Sequence, residues 1–202
     1  MSMARAAALL VSFTLLCACA TVPPPPRDQF HRLVPATLAA PADVNGGDGR
    51  LVFVPPFSAS GLHGQRALLH AEADGTTLEQ YGYHFWIDSP RLLLQQDLAT
   101  YLGRSLGARV VTQSGARDGL VVRGHVFRFE RIGGAADGDT AVVALGFDVF
   151  EAGTVVPELS RRLEREIPIG EGDVAAYVAA TSVATREIFA EVARDLAPLV
   201  AR

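Results

Sequence analysis

The 202-residue chain is 49% apolar and 20% charged, with a formal net charge of −4. That is enough apolar material for one buried core and too much for a disordered chain. All 18 basic residues are arginine, scattered without a basic stripe, which excludes a general nucleic-acid binder. The two cysteines, Cys17 and Cys19, stand near the N-terminus, so the rest of the chain holds no disulfide framework, no cysteine-based zinc site and no cysteine nucleophile.

The N-terminal segment carries the most specific signal. Arg5 precedes an apolar run from Ala6 to Leu16, broken only by Ser12 and Thr14. At about 1.5 Å per residue this run covers about half a bilayer core, too little for a membrane-spanning helix. A charged start, a short apolar run and small residues at a cleavage point describe an export signal over 1–18. Leu16-Cys17-Ala18-Cys19 resembles a bacterial lipobox, with Leu16 at −3 and Ala18 at −1 before the modified Cys19. The resemblance implies acylation of Cys19 with several chains, palmitate among them. One chain alone would hold only marginally. Cys17 fits less well, because bulky Leu16 would occupy −1. An ordinary secretory signal, with Cys19 incidental, is the alternative. Ala20 in place of Asp favours the outer membrane. Pro23 to Pro26 follow, a polyproline spacer closing a linker over 19–28.

Residues 29–202 read as one domain. Leu51 to Val54 is a short buried strand stopped by Pro55-Pro56, and Ser58 to Gly64 reads as a flexible loop. Residues 67–71 and 76–86 flank Asp74-Gly75 as a hairpin, with Tyr81, Tyr83 and Phe85 on one face. Of these aromatics Phe85 is assigned to the core and Trp86 is left open. Ser89-Pro90 starts a helix with Leu94, Leu98, Leu102 and Leu106 on its core stripe and Gly107 at its end. A strand follows at 109–112. Residues 119–131 and 140–151 are two longer strands; Ala141, Val143, Leu145, Phe147 and Val149 alternate onto one face. Residues 159–169 fit either a helix or a strand, and a strand continues the meander. Asp173 caps a final long helix, whose stripe is weakest at Thr181 and Thr185. The expected fold is α/β of the α+β type: a mostly antiparallel sheet packed by two main helices.

Catalytic chemistry finds little support. His31, His63, His70, His84 and His125 show no zinc-protease spacing. Ser58-Ala59-Ser60-Gly61 is not a nucleophile elbow. Asp148, Glu151, Glu164 and Glu166 read as a polar sheet face. No catalytic residue, cofactor or metal site is therefore assigned. Two residues are candidates for partner contact: Trp86, whose alternative is a place in the core, and His63, whose alternative is simple solvation.

Several features in order resemble one family: the lipobox Cys19, the proline spacer, Phe30-His31-Arg32-Leu33, the strand ending at Pro55-Pro56, and the Ser60-Gly61-Leu62 loop followed by Arg66. The aromatic strand from Tyr81 to Trp86 then leads into Pro90 and the leucine-rich helix, and an alanine-rich helix closes the chain. Together they are similar to the ABC-type transport auxiliary lipoproteins, the PqiC-like proteins. The resemblance implies a periplasmic lipoprotein held to the outer membrane. It implies work with an MCE-domain protein and an ABC transporter in moving phospholipid or other hydrophobic molecules between membranes, with homo-oligomerisation possible. The alternatives are an outer-membrane assembly or structural lipoprotein without a transporter, and a cell-envelope hydrolase.

Overall fold

Alternating apolar residues on three long segments build the spine of the sheet. The computed structural model describes residues 24–34, 50–113, 118–133, 138–170 and 172–202. The export signal and Cys19 lie outside the described residues, as does the centre of the glycine-rich loop at 134–137. The elements are β1 (Gln29–His31), β2 (Leu51–Phe53), β3 (Ser58–Ala59), β4 (Ala67–Glu72), β5 (Leu78–Trp86), α1 (Pro90–Leu106), β6 (Arg109–Val111), β7 (Leu120–Gly133), β8 (Asp139–Glu151), β9 (Leu159–Gly170) and α2 (Val174–Val200).

Strands β7, β8 and β9 form an antiparallel meander. The predicted stripe Ala141, Val143, Leu145, Phe147 and Val149 is buried against the two helices. Residues 159–170 are a strand, and its alternation explains the ambiguity in the sequence. Arg161, Leu163 and Arg165 share one face, where Arg161 meets Asp195 at 2.9 Å and Arg165 meets Glu191 at 2.5 Å, both on α2. Leu163 is buried between these ion pairs.

The sheet as a whole is mixed, where a mostly antiparallel one was expected. Five of the eight pairings among the described residues are parallel. The reason is the path of residues 51–72. They run as one interrupted strand alongside β7, pairing Val52 with Leu120, Ser58 with His125 and His70 with Arg131 in turn. Pro55-Pro56, which cannot donate to the ladder, and a 3₁₀ turn at Gly61–Gly64 break that strand. The segment 58–64, expected as a flexible loop, is thus a strand plus a 3₁₀ turn.

Both helices begin and end where local chemistry dictates. Extended Ser89 precedes Pro90 in the first helical turn, and Gly107 takes a left-handed φ of 59° to end α1. Leu94, Leu98 and Leu102 are fully buried. The Asp173 carboxylate accepts from the Ala176 N–H at 2.9 Å and caps α2. Thr181 and Thr185 are buried in α2, their hydroxyls donating to the Tyr177 and Thr181 carbonyls at 2.9 and 2.8 Å. These bonds let small polar residues sit against the sheet without an orphaned hydroxyl.

The aromatic strand departs from simple alternation. Ala67 pairs with Phe85 and Leu69 with Gln80, so two steps along β4 answer five along β5. The three extra residues include Tyr83, the one non-glycine residue with positive φ (63°) among the described residues. An odd insertion reverses the faces. Trp86 takes the core position, packed on Phe129 at 5.1 Å and Tyr177 at 6.3 Å, while Phe85 turns to the outer side against Phe30. The assignment of Phe85 to the core is corrected accordingly.

Candidate functional site

Of the residues singled out from sequence, Cys19 lies outside the described residues and the other two are buried. Trp86 is 1% exposed, so its ring is core and offers no surface to a partner. His63 is 8% exposed, which removes both partner contact and simple solvation. The 3₁₀ turn folds His63 under β7, where its Nδ1 accepts from the Phe129 N–H at 3.3 Å. Its Nε2 lies 3.5 Å from the buried Glu130 carboxylate. Glu130 accepts from Arg128 at 2.6 Å, and Arg128 donates outward to Glu164 at 3.1 Å. Burial lowers the His63 pKa; Glu130 opposes the shift and Arg128 adds to it. The chain of partners satisfies a buried carboxylate, and its role is to hold the 3₁₀ turn on the sheet.

The structure also brings together groups that the sequence keeps apart. His125 stands between Ser58 and Ser60, with Nδ1 2.7 Å from the Ser58 hydroxyl and Nε2 2.8 Å from the Ser60 hydroxyl. Ser58 also donates to the Gly124 carbonyl at 3.3 Å. The consistent arrangement has Nδ1–H donating to Ser58 and Nε2 accepting from Ser60. A hydroxyl at this distance from an imidazole is half of a nucleophile pair. The other half, a carboxylate orienting the base, is replaced here by a second serine. The ring packs on Phe127 at 4.4 Å beside a shallow groove of about 300 Å³ that includes Asp148, Ser160 and Arg162. No sequence pattern announces this cluster, because the parallel β3–β7 pairing alone joins residues 58 and 125.

A third feature lies between the helices. Leu33 is buried there, and the Val34 N–H donates to the Ser182 hydroxyl at 3.0 Å, so the N-terminal segment is fastened to α2. A small cavity of about 60 Å³ beneath it is lined by Asp97, Tyr101, Arg186 and Phe189, among others. Burial pushes the Asp97 carboxyl up to about 6.

The outer edge of the sheet is aromatic. β1 lies beside β5, the Ile87 N–H donates to the His31 carbonyl at 2.7 Å, and the His31 and His84 rings stack with nitrogens 3.1 Å apart. Phe30 packs on Phe85 with ring centres 5.9 Å apart, and the Arg66 guanidinium lies 5.4 Å from the Phe30 ring.

Comparisons with known proteins place this architecture. The chain resembles a crystal structure of an uncharacterized protein with a TM-score of 0.67 at 15% identity, covering 85% of this chain and 99% of that one. Protein XCC0632 from Xanthomonas campestris gives a TM-score of 0.67 at 16% identity, covering 82% of this chain and 92% of that one. The hypothetical protein CT253 from Chlamydia trachomatis gives 0.52 at 8% identity, covering 75% and 97%. At such identities the likeness is one of fold. Among curated proteins none matches. The model of the ABC-type transport auxiliary lipoprotein component matches residues 33–193, from the segment fastened to α2 through most of that helix. The chain belongs to this family of lipoproteins that serve ABC transport systems.

Proposed function

We propose that the protein is a periplasmic adaptor, acylated at Cys19 and held to the outer membrane. In this reading it docks an MCE-domain protein of an ABC transport system that carries phospholipid or other hydrophobic molecules between the two membranes. The observation that carries the reading is the family match over residues 33–193, joined to the Leu16-Ala18-Cys19 pattern upstream of it. An acyl tail of about 15 methylenes exposed to water costs about 12 kcal/mol, at about 0.8 kcal/mol each. A continuous protein path removes that cost, and an anchored adaptor sets where the path ends. The subunit works without chemistry of its own. Among the described residues no carboxylate orients the serine-flanked His125, and the His63–Glu130 pair is buried under the sheet.

Two measurements test this. Cys19→Ala should move the protein from the membrane to the soluble fraction, and unchanged fractionation would refute the anchor. Affinity capture of the detergent-solubilised wild-type protein should retain an MCE-domain protein. Retention of outer-membrane assembly components in its place would favour a structural lipoprotein.

A further inference from the structure

Apart from Val34 beside α2 and Leu92 on α1, the exposed large apolar side chains among the described residues gather at two places. One is the β8–β9 turn, where Val155 is 90% exposed. The other is the β1–β5 edge, where Phe30 is 56%, Tyr83 44% and Ile87 42% exposed. The register of the sheet sets these far apart. The turn follows Glu151, which pairs with Leu120 at the start of β7. The aromatic edge joins β7 through β4, where Phe85 pairs with Ala67, three residues before the His70 that pairs with Arg131, so the edge lies level with about residue 128 of β7. The stretch of β7 from Leu120 to that level spans about 26 Å at about 3.3 Å per residue.

The chain between Cys19 and Gln29 decides which end meets lipid. Nine residues separate them, four of them proline. At about 3.1 Å per residue in polyproline II, this tether reaches about 30 Å at full stretch, about the separation of the two places along the sheet, so the edge it enters stays nearest the anchor. It enters the domain at β1, directly before Phe30. The composition of that edge also suits a headgroup layer. Aromatic rings there lie beside arginines: Arg66 stacks on Phe30, and Arg27 and Arg32 are exposed on either side, with Asp28 and Asp88 as the nearby acids in sequence. A short tether keeps even a weak contact occupied by raising its local concentration.

We propose that the β1–β5 edge, with Phe30, Tyr83 and Ile87, rests on the lipid headgroups of the membrane that carries the Cys19 anchor. The Val155 turn then faces away from that membrane, toward the transport machinery. The orientation rests on the acylation reading above. Cys19 is the one cysteine after the export signal and is taken by lipid in that reading. Single substitutions Tyr83→Cys, Ile87→Cys and Val155→Cys can therefore each carry a nitroxide label in the full acylated protein. The probe is a vesicle of zwitterionic and anionic phospholipid, with flotation measured first. Emission of the single tryptophan, Trp86, checks that each variant is folded.

Labels at 83 and 87 should show oxygen-over-nickel accessibility several-fold higher than the label at 155, which should remain aqueous. Flotation with an aqueous signal at all three positions overturns the orientation while leaving the anchor standing. A lipid signal at 155 alone reverses the orientation and also overturns the proposal. Dipolar broadening between labels at 87, without lipid contact, would assign the edge to a second copy and refute the lipid surface. Failure to float refutes the anchor, and the orientation falls with it.

Discussion

Gly124 on β7 lies under the ring of Phe57, and adding one methyl group there tests how the β3 edge is held. A Cβ at Gly124 would stand 2.3 to 2.4 Å from three Phe57 ring atoms, against 3.4 Å or more in ordinary contact. The ring would have to move by about 1 Å. It has little room to do so. Phe57 is fully buried and set edge-on to Phe147 at 5.8 Å and 87°. Its backbone is held by two bonds to Arg91, N–H to carbonyl at 3.2 Å and carbonyl to Nε at 2.7 Å. Overpacking a closed core costs about 1–3 kcal/mol, and this site belongs at the upper end. Gly124→Ala should therefore lower stability by about 3 kcal/mol, a fall in Tm of about 6–12 °C for a domain of this size. Urea and thermal unfolding read the loss. The double variant Phe57→Leu with Gly124→Ala should lose less than the two single losses added, since the smaller side chain relieves the clash. A loss under about 0.5 kcal/mol for Gly124→Ala, or strict additivity, would refute the reasoning.

Asp97 supplies a pH-dependent test. Its carboxyl holds a proton up to about 6 in the fold, so native stability should decline as pH rises from about 4 to about 6 and then level off. Asp97→Asn should therefore unfold at higher urea than wild type at pH 7, by about 1 kcal/mol once solvent screening of this half-buried group is counted. It should gain nothing near pH 3; equal gains at both pH values would contradict the assignment. The docking of β1 should respond in the opposite sense to acid. Burial and then the neighbouring His84 lower the His31 pKa, so docking holds above about 6.5 and weakens as pH falls below it. Hydrogen exchange at the Ile87 amide, which is bonded to the His31 carbonyl, should show easier opening at pH 5 than at pH 7. Equal opening free energies would remove the histidine pair from any part in docking.

Helix and hairpin boundaries were legible because they rest on interactions within a few residues. Ser89-Pro90, Gly107 and Asp173 mark helix ends through backbone geometry and capping. Asp74-Gly75 closes its hairpin with the Asp74 carboxylate accepting from the Thr76 N–H at 2.9 Å. The long strands were legible from period-two burial, and even the ambiguous 159–169 segment resolved as the strand its arginines required. The ordered pattern that resembles the transport auxiliary lipoproteins was likewise a matter of local order in the chain, and the family match over residues 33–193 bears it out.

Tertiary structure alone decided what depends on distant partners. Alternation gives a strand its faces but not its direction, so the parallel docking of β2, β3 and β4 on β7 could not be read from residues 51–72. A three-residue bulge at Tyr83 exchanged the places of Phe85 and Trp86, although the local pattern put the tyrosines and Phe85 together. His63 had no visible partner until the 3₁₀ turn carried it to Glu130, and His125 met Ser58 and Ser60 only across strands about seventy residues apart in sequence. Capping and turn preferences act over one turn of chain and are written in neighbouring residues. Strand direction, bulge phase and the pairing of buried polar groups are chosen by the packing of the whole sheet.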